Sequence, residues 1–581
     1  MVFTPPAWVP KLPFDPPDSI PIHEFWDNER YGRQPHDKSR TPFTCGLTGK
    51  SYSAAQMKER YELLARSLSK RLGWGVNEDT HWDKVVGVFS LNSIHYIMST
   101  FAIHRLSGIA TPANATYSAS ELEYQLKASG AKALITCAPL LETALKTAKA
   151  VGIAEDKVYL MNGPWETPGQ KLPFKTLDEL IEEGKSLPEL EPLHWSTGQG
   201  ARQVACLCFS SGTSGLPKAV MITHRNVIAN MLQMRWYESV GREKSGIDTQ
   251  IVLGLMPISH IYGLVVITLA SAYRGDGVII LPKFELKGLL ETIQRFRINF
   301  LYLVPPIIIQ LLRNQDLCAK YDLSSAHFIY TGAAPLGAET HEDMLKAFPN
   351  MNIGQGYGMT ETSTVNITTS THDVMIGTSG SLMPGCRAKI LDEDGREITE
   401  LGRRGELYIQ GPNVTLGYLN NERATAEAFV HDDDGRWVRT GDVAVVSKSE
   451  NGTGAEHFAI VDRIKELIKT KGHQVAPAEL EAHLLSHPAV NDCTVIPVPD
   501  EGAGEVPKAF VVKAAAYKDR SDAETAREIC KHVEEHKSRY KWLKGGVEFI
   551  DVVPKSPSGK ILRRLLKDKE REARRQAGSK L

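Results

Sequence analysis

A chain of 581 residues, 42% hydrophobic and 24% charged, is long enough for two or more domains with sizeable cores. Its formal net charge of −1 gives no general attraction to nucleic acid or to an anionic membrane. The eight cysteines form no C-x-x-C pair, and Cys206 and Cys208 sit two apart on one face of an apolar strand, so they read as reduced thiols rather than disulfides or a zinc site.

Residues 1–19 are proline-rich and lack the charged start and apolar run of a signal peptide, so secretion is not expected. From 51 to about 290, helical stretches at 57–72 and 94–106 alternate with β-branched runs at 85–90 and 133–136, the rhythm of a parallel βα sheet. The longest apolar region, 251–273, is broken by Pro257, His260 and several glycines, which predicts a buried strand and helix and no membrane span. The rhythm resumes with strands at 300–304 and 328–331. Glycine-punctuated short strands over 380–446 predict a smaller, β-barrel-like subdomain, and the polar stretch 447–457 a hairpin loop. Beyond Asp462, helices at 478–485 and 522–537 and strands at 494–497, 509–513 and 547–552 form a compact α+β module. The predicted class is therefore α/β: an extension (1–50), a large domain of parallel sheets plus the β subdomain (51–462), a small α+β domain (463–566) and a charged tail (567–581). That tail ends in Ser579-Lys580-Leu581, which spells a peroxisomal address and implies an import receptor as partner.

Five ordered segments carry the chemistry. In SSGTSGLPKAV, residues 210–220, Gly212 and Gly215 let backbone N–H groups approach a phosphate chain, and Ser210, Ser211, Thr213 and Ser214 add hydroxyl donors. Lys218 adds a full charge, worth about 4 kcal/mol at roughly 4 Å in a partly screened site. Pro217 before the lysine and Ala219 after it exclude a Walker loop; a plain Ser/Gly turn after the strand at 204–209 is the structural alternative. GAAPLG (332–337) and GQGYGMTE (354–361) read as backbone-exposing turns after strands, where α/β sheets bind ligands. In the second, Tyr357 suits stacking on a base, Thr360 a phosphate and Glu361 a Mg2+ ion, against the alternative of a core tyrosine and a helix-terminal carboxylate. Met359 stands where a dinucleotide fingerprint needs its third glycine. Asp442 in Thr-Gly-Asp can accept both ribose hydroxyls, and Arg463 can hold a phosphate or ribose oxygen. A second lysine, Lys560, ends the small-residue stretch in PKSPSGKILRR. A serine hydrolase is not expected, because Ser381 replaces the last glycine of a G-x-S-x-G elbow at 377–381.

Together these segments resemble the adenylate-forming superfamily of acyl-CoA synthetases, luciferases and peptide-synthetase adenylation domains, and most closely its 4-coumarate:CoA ligase-like branch, over residues 51–566. The resemblance implies an acid-thiol ligase using ATP, Mg2+ and coenzyme A on a carboxylic acid, and the near-zero net charge adds the expectation of no nucleic-acid partner. It also implies a small domain that reorients between adenylation and thioester formation. On this pattern the loop from Ser210 to Lys218 holds the ATP β- and γ-phosphates, while Ala333, Gln355, Gly356, Tyr357 and Thr360 surround adenine and the α-phosphate. Asp442 and Arg463 contact the nucleotide, Glu361 is the magnesium-associated acid, Lys465 the hinge, and Lys560 the adenylation lysine. Lys283, Lys471 and Gly472 match coenzyme A contacts, and Lys469 and Gln474 match small-domain positions facing the site. His260 matches the histidine bordering the acyl carboxylate, followed by Ile261 and Tyr262; Tyr330 and Asn366 depart from the smaller and apolar residues frequent at the acyl pocket and put a plain 4-coumarate substrate in doubt. The segment FDPPDSIPIHEFWDNERYGR is similar to fungal carboxyl-activating enzymes of secondary-metabolite and toxin pathways. The same adenylation chemistry also serves luciferase-type oxygenases and carrier-protein loaders, and a non-catalytic binding protein is a further alternative that Lys560 argues against.

Overall fold

The computed structural model describes residues 1–166, 172–210, 216–450, 453–471, 473–500, 502–556 and 559–578. Two largely parallel sheets of nine and six strands form the large domain. Their central strands, such as Val85–Phe89 and Phe328–Thr331, are buried along their whole length, as expected when helices cover both faces of a parallel sheet. The six-stranded sheet ends in an antiparallel pair, Val204–Ser210 with Lys218–Thr223, in which Ser210 faces Lys218. Thr223 then caps the long helix His224–Ser245 through a reciprocal bond pair with Asn226, which fixes where the chain turns away from the sheet.

The apolar region at 251–273 divides into the buried strand Ile251–Gly254, a π-helical segment Tyr262–Ala270 and the short helix Ser271–Tyr273. No helix among the described residues is long and apolar enough to cross a membrane. All eight cysteines are free thiols, and burial pushes Cys208 up to about 12, which keeps it protonated and unreactive. A five-stranded antiparallel sheet follows, and its long hairpin Gly435–Lys448 with Glu456–Arg463 makes Asp442 the register partner of Arg463.

The small domain begins its own sheet at Ile468. Its strands Val490–Asp500 and Gly504–Lys513 extend well beyond the runs visible as β-branched residues, because ten register pairs run the length of the two strands and carry the polar ends along. Helices Pro477–Leu485 and Asp522–His536 cover one face over a core that includes Leu480, Leu484, Ile529 and Val533.

One expectation is corrected here. Most of GQGYGMTE (354–361) is not a turn: up to Met359 it belongs to the strand Asn352–Met359, parallel to Phe328–Thr331 and antiparallel to Thr364–Thr368, and only its last two residues fall in the turn Thr360–Thr362. Its glycines permit close packing: a Cβ on Gly356 would lie 1.9 Å from the Tyr330 hydroxyl, and one on Gly358 only 1.6 Å from the Thr364 carbonyl oxygen. Thr-Gly-Asp is part of the strand Gly435–Lys448, with the positive φ of Gly441 (72°) taking up the local irregularity.

Candidate active site

The hairpin register sets the first contact. Arg463 Nε lies 3.4 Å from Asp442 Oδ1, and the Tyr357 hydroxyl donates to Asp442 Oδ2 at 2.6 Å. Tyr357 thus joins the sheet of the large domain to the β hairpin through its polar tip. Burial works against the Arg463 charge, but Asp442 and Glu466 outweigh it and raise its pKa.

Glu361 is buried in the single turn Thr360–Thr362 at the end of the glycine-rich strand. Its Oε1 accepts from Ser210 Oγ at 3.0 Å and from the Tyr418 hydroxyl at 2.8 Å. The Lys218 ammonium sits 4.8 Å over the Tyr418 ring. Both ends of the serine-glycine segment therefore meet Glu361 or its partner, although Ser211, Gly212, Thr213, Ser214 and Gly215 lie outside the described residues. Gln355 pins the GAAPLG turn, accepting from Leu336 N–H at 2.9 Å and donating to its carbonyl at 3.2 Å, while Ala333 adopts φ 68°.

Lys560 comes from the other domain. Lys555 and Ile561 bridge the base of its hairpin, Lys555 Nζ bonds both Asp492 oxygens at 2.8 and 2.6 Å, and Ser556 bonds the Lys560 carbonyl at 2.7 Å. A Cβ on Gly559 would lie 3.1 Å from Val304 of the large domain. The Lys560 ammonium sits within electrostatic reach of Arg463, Glu466, Asp442 and Glu361; burial first, and the Arg463 charge second, bring it down to about 8. The neighbouring His260 is lowered to about 4 by burial and by Lys560, so its ring is neutral at physiological pH. Its Nδ1 accepts from Tyr262 N–H at 3.2 Å.

Other expected residues fall elsewhere. Lys465 is exposed in the turn after Arg463, where the chain passes between domains. Lys283 is exposed beyond the strand Gly277–Ile280, and Lys471 is exposed on the small-domain turn, where its backbone N–H donates to the Ala503 carbonyl at 2.9 Å; Gly472 lies outside the described residues. Lys469 and Gln474 are register partners, but Gln474 donates to Glu393 of the β subdomain at 2.6 Å rather than facing the nucleotide cluster, because this orientation presents the Lys560 hairpin there. Asn366 is also corrected: it is fully buried, donating to Thr362 Oγ1 at 2.6 Å and accepting from Asn413 at 2.9 Å, so its amide serves a core network, not a pocket. Tyr330 is buried, bonded to Thr368 Oγ1 at 2.7 Å, and packs 6.3 Å from Tyr262 ring to ring; Ile261 is buried beside them, its carbonyl accepting from Thr364 Oγ1 at 3.2 Å. Sequence reasoning missed Tyr418 and Glu466. Only its proximity to Arg463 pointed to Glu466, and nothing in the local pattern around Tyr418 marked it.

The decisive comparison is with family models: residues 29–419 match that of the AMP-binding enzyme and residues 479–560 that of the AMP-binding enzyme C-terminal domain. The chain belongs to the AMP-binding enzymes. As a member of that family it is similar to acyl-CoA ligase easD of Emericella nidulans, with 39% identity over 98% of this chain and 100% of that protein. Acyl-CoA ligase AFT1-1 of Alternaria alternata is also 39% identical, over 98% of this chain and 97% of that one. The AMP-binding fold is shared with the anthranilate CoA ligase AuaEII in complex with anthranoyl-AMP, at a TM-score of 0.79 and 23% identity over 96% of this chain and 98% of that one.

A lysine held near pH 8 sets a pH limb. Adenylation by the free enzyme that uses the charged amine should lose rate about tenfold per pH unit above about 8, because rising pH removes the proton from Lys560. The kcat/KM for acid-dependent pyrophosphate release, measured without coenzyme A, checks this. A flat profile from pH 7 to 10, or an identical limb in Lys560→Arg, would contradict it.

Proposed function

We propose that this AMP-binding enzyme is an ATP-dependent acyl- or aryl-CoA ligase of fungal secondary metabolism, with Lys560 of the small domain brought within electrostatic reach of Asp442, Arg463 and Glu361 as the observation that carries the reading. In the first half-reaction a carboxylate oxygen attacks the α-phosphorus of ATP and pyrophosphate leaves; in the second a thiol attacks the acyl carbon and AMP leaves. Lys560 stabilises the α-phosphate charge as the first bond forms, and Lys218 with the Ser210 loop holds the departing phosphates. Asp442 takes the ribose hydroxyls and Arg463 an adjacent nucleotide oxygen. Tyr357, Gly356, Gln355, Ala333 and Thr360 surround adenine and the α-phosphate.

The donor set at Glu361 fits Mg2+, since a hard carboxylate already fixed through Oε1 by two hydroxyls needs little reorganisation to offer its other oxygen. The ion, when bound, supplies charge neutralisation to the phosphates. His260, neutral beside Lys560, borders the acid without adding a second charge, and Ile261, Tyr262 and Tyr330 line the acyl side. The filled Tyr330–Thr368 contact leaves an aromatic wall there, which favours acids that lie flat against rings. Lys465 is the hinge, and coenzyme A meets Lys283, Lys471 and Gly472 once Lys469 and Gln474 have turned toward the site. Likeness to fungal acyl-CoA ligases over nearly the whole chain supports this choice of thiol and setting.

Removing one electrostatic stabiliser costs about two to four decades in the step it serves. Lys560→Ala should lower pyrophosphate release by that amount across a panel of aromatic, medium-chain and hydroxylated acids, and chelation of Mg2+ should abolish release in the wild type. Wild-type rates in the variant, or no acid-dependent release with any acid, would defeat the assignment. We also place the enzyme in peroxisomes through Ser579, Lys580 and Leu581, which lie outside the described residues. A bulky tag after Leu581 should leave it in the cytosol, and peroxisomal imaging unchanged by the tag would refute the address.

A further inference from the structure

Away from the nucleotide cluster, two helices of the small domain bring histidines together. His483 lies on Pro477–Leu485, while His532 and His536 lie four apart on Asp522–His536 and so share a face of that helix. The His483 and His532 rings are stacked, with centroids 4.3 Å apart and planes 4° from parallel, and the His532 and His536 centroids are 4.9 Å apart. Each of the three offers a ligand nitrogen within 4.8 Å of the others. Ser486 Oγ, 3.2 Å from His532 Nε2, steadies that ring, and the His487 ring lies 5.1 Å from His532 at the rim.

His483 is only 5% exposed, and its Nδ1 is enclosed without a hydrogen-bond partner among the described residues. The carboxylate nearest that nitrogen is Glu339 Oε1 at 3.6 Å, on helix Ala338–Ala347 of the large domain. The opposite nitrogen, Nε2, faces the second helix, 3.4 Å from the His532 carbonyl. As a packing arrangement this is poor: three imidazoles crowd together and a buried ring nitrogen goes unsatisfied. One tautomer resolves both features. The Nε2 bond to the His532 carbonyl takes the ring proton and leaves Nδ1 bare beside the carboxylate; moving that proton to Nδ1, at the loss of the carbonyl bond, gives Glu339 a donor and frees the Nε2 lone pair for an ion, which is how a carboxylate orients a metal-bound histidine.

We propose that His483, His532 and His536 form a binding site for a divalent late first-row transition-metal ion of the zinc class, with Glu339 as the positioning carboxylate across the domain boundary. Neutral imidazoles suit such ions, and two histidines four apart on a helix form a ready chelating pair. Zinc–nitrogen bonds of about 2.0 to 2.1 Å draw tetrahedral ligand atoms to roughly 3.3 Å apart, a closure that requires the half-buried His532 ring to turn out of its stack on His483 and the exposed His536 to rotate with it. Because Glu339 belongs to the large domain and the histidines to the small one, ion affinity and domain orientation are linked: an ion favoured by this contact favours this orientation.

Titration of metal-stripped, full-length protein with Zn2+ tests the site. One ion per chain is expected, weakened at least tenfold in His532→Gln and in His536→Gln, both of which change side chains outside the core and should leave the thermal melt in place. Unchanged affinity in either variant, or no saturable binding up to about 1 mM Zn2+, would overturn the three-histidine site. Glu339→Gln should weaken Zn2+ about tenfold and shift the visible spectrum of bound Co2+, as loss of an orienting carboxylate does. An unchanged affinity and spectrum would remove Glu339 from its positioning role and break the link to domain orientation.

Discussion

The arrangement depends on one seating: a lysine from the small domain placed among the charges of the hairpin in the large one. Lys560 has Arg463 as a neighbour that repels it and Asp442, Glu466 and Glu361 as neighbours that attract it; Asp442 and Glu361 are buried, while Lys560, Arg463 and Glu466 are half-buried. Burial alone disfavours the ammonium, and the carboxylates keep it from being driven lower still. Such a charge is held at strain until an anion arrives. A triphosphate entering this cluster meets positive groups already in place, so little reorganisation is needed as charge develops.

The supporting structure explains why the cluster stays assembled. Strand register, not a flexible side-chain contact, sets Asp442 opposite Arg463, and Tyr357 locks that pair to the glycine-rich strand. Glu361 is tied by Ser210 to one side of the phosphate segment and by Tyr418 to the other, where Lys218 rests on the same ring. The small domain contributes a rigid presentation: Lys555 clamped by Asp492 at the hairpin base, and Arg563 bound by Glu481 through both Nε and Nη2. Lys560 is therefore delivered by a braced hairpin whose position follows that of the whole domain.

Much of this was legible before folding. The βα rhythm, the β-rich subdomain and the α+β module appear as hydrophobic periodicity, and the residues of the cluster stand in motifs whose order is informative. What the chain does not spell locally is pairing. GQGYGMTE looks like a loop because glycine is rare in strands, yet here glycine is required by the Tyr330 hydroxyl and the Thr364 carbonyl, groups supplied by other strands. Asn366 looks like a pocket residue from its place in a motif, but its amide bonds run to Asn413, far along the chain. Tyr418 gave no signal, since its role arises only when a bridge to Val220 brings it beside Lys218 and Glu361.

If the Lys560 seating belongs to one of two working orientations, locking it should separate the half-reactions. A Cβ on Gly337 would lie 2.7 Å from the Ala482 Cβ of the small domain, close enough that a small adjustment reaches the roughly 3.8 Å of a disulfide. The direct measurement is therefore on oxidised Gly337→Cys/Ala482→Cys enzyme. It should release pyrophosphate with acid and ATP yet form no acyl-CoA until the bridge is reduced; acyl-CoA formation at the reduced enzyme's rate while the bridge is intact would contradict the account.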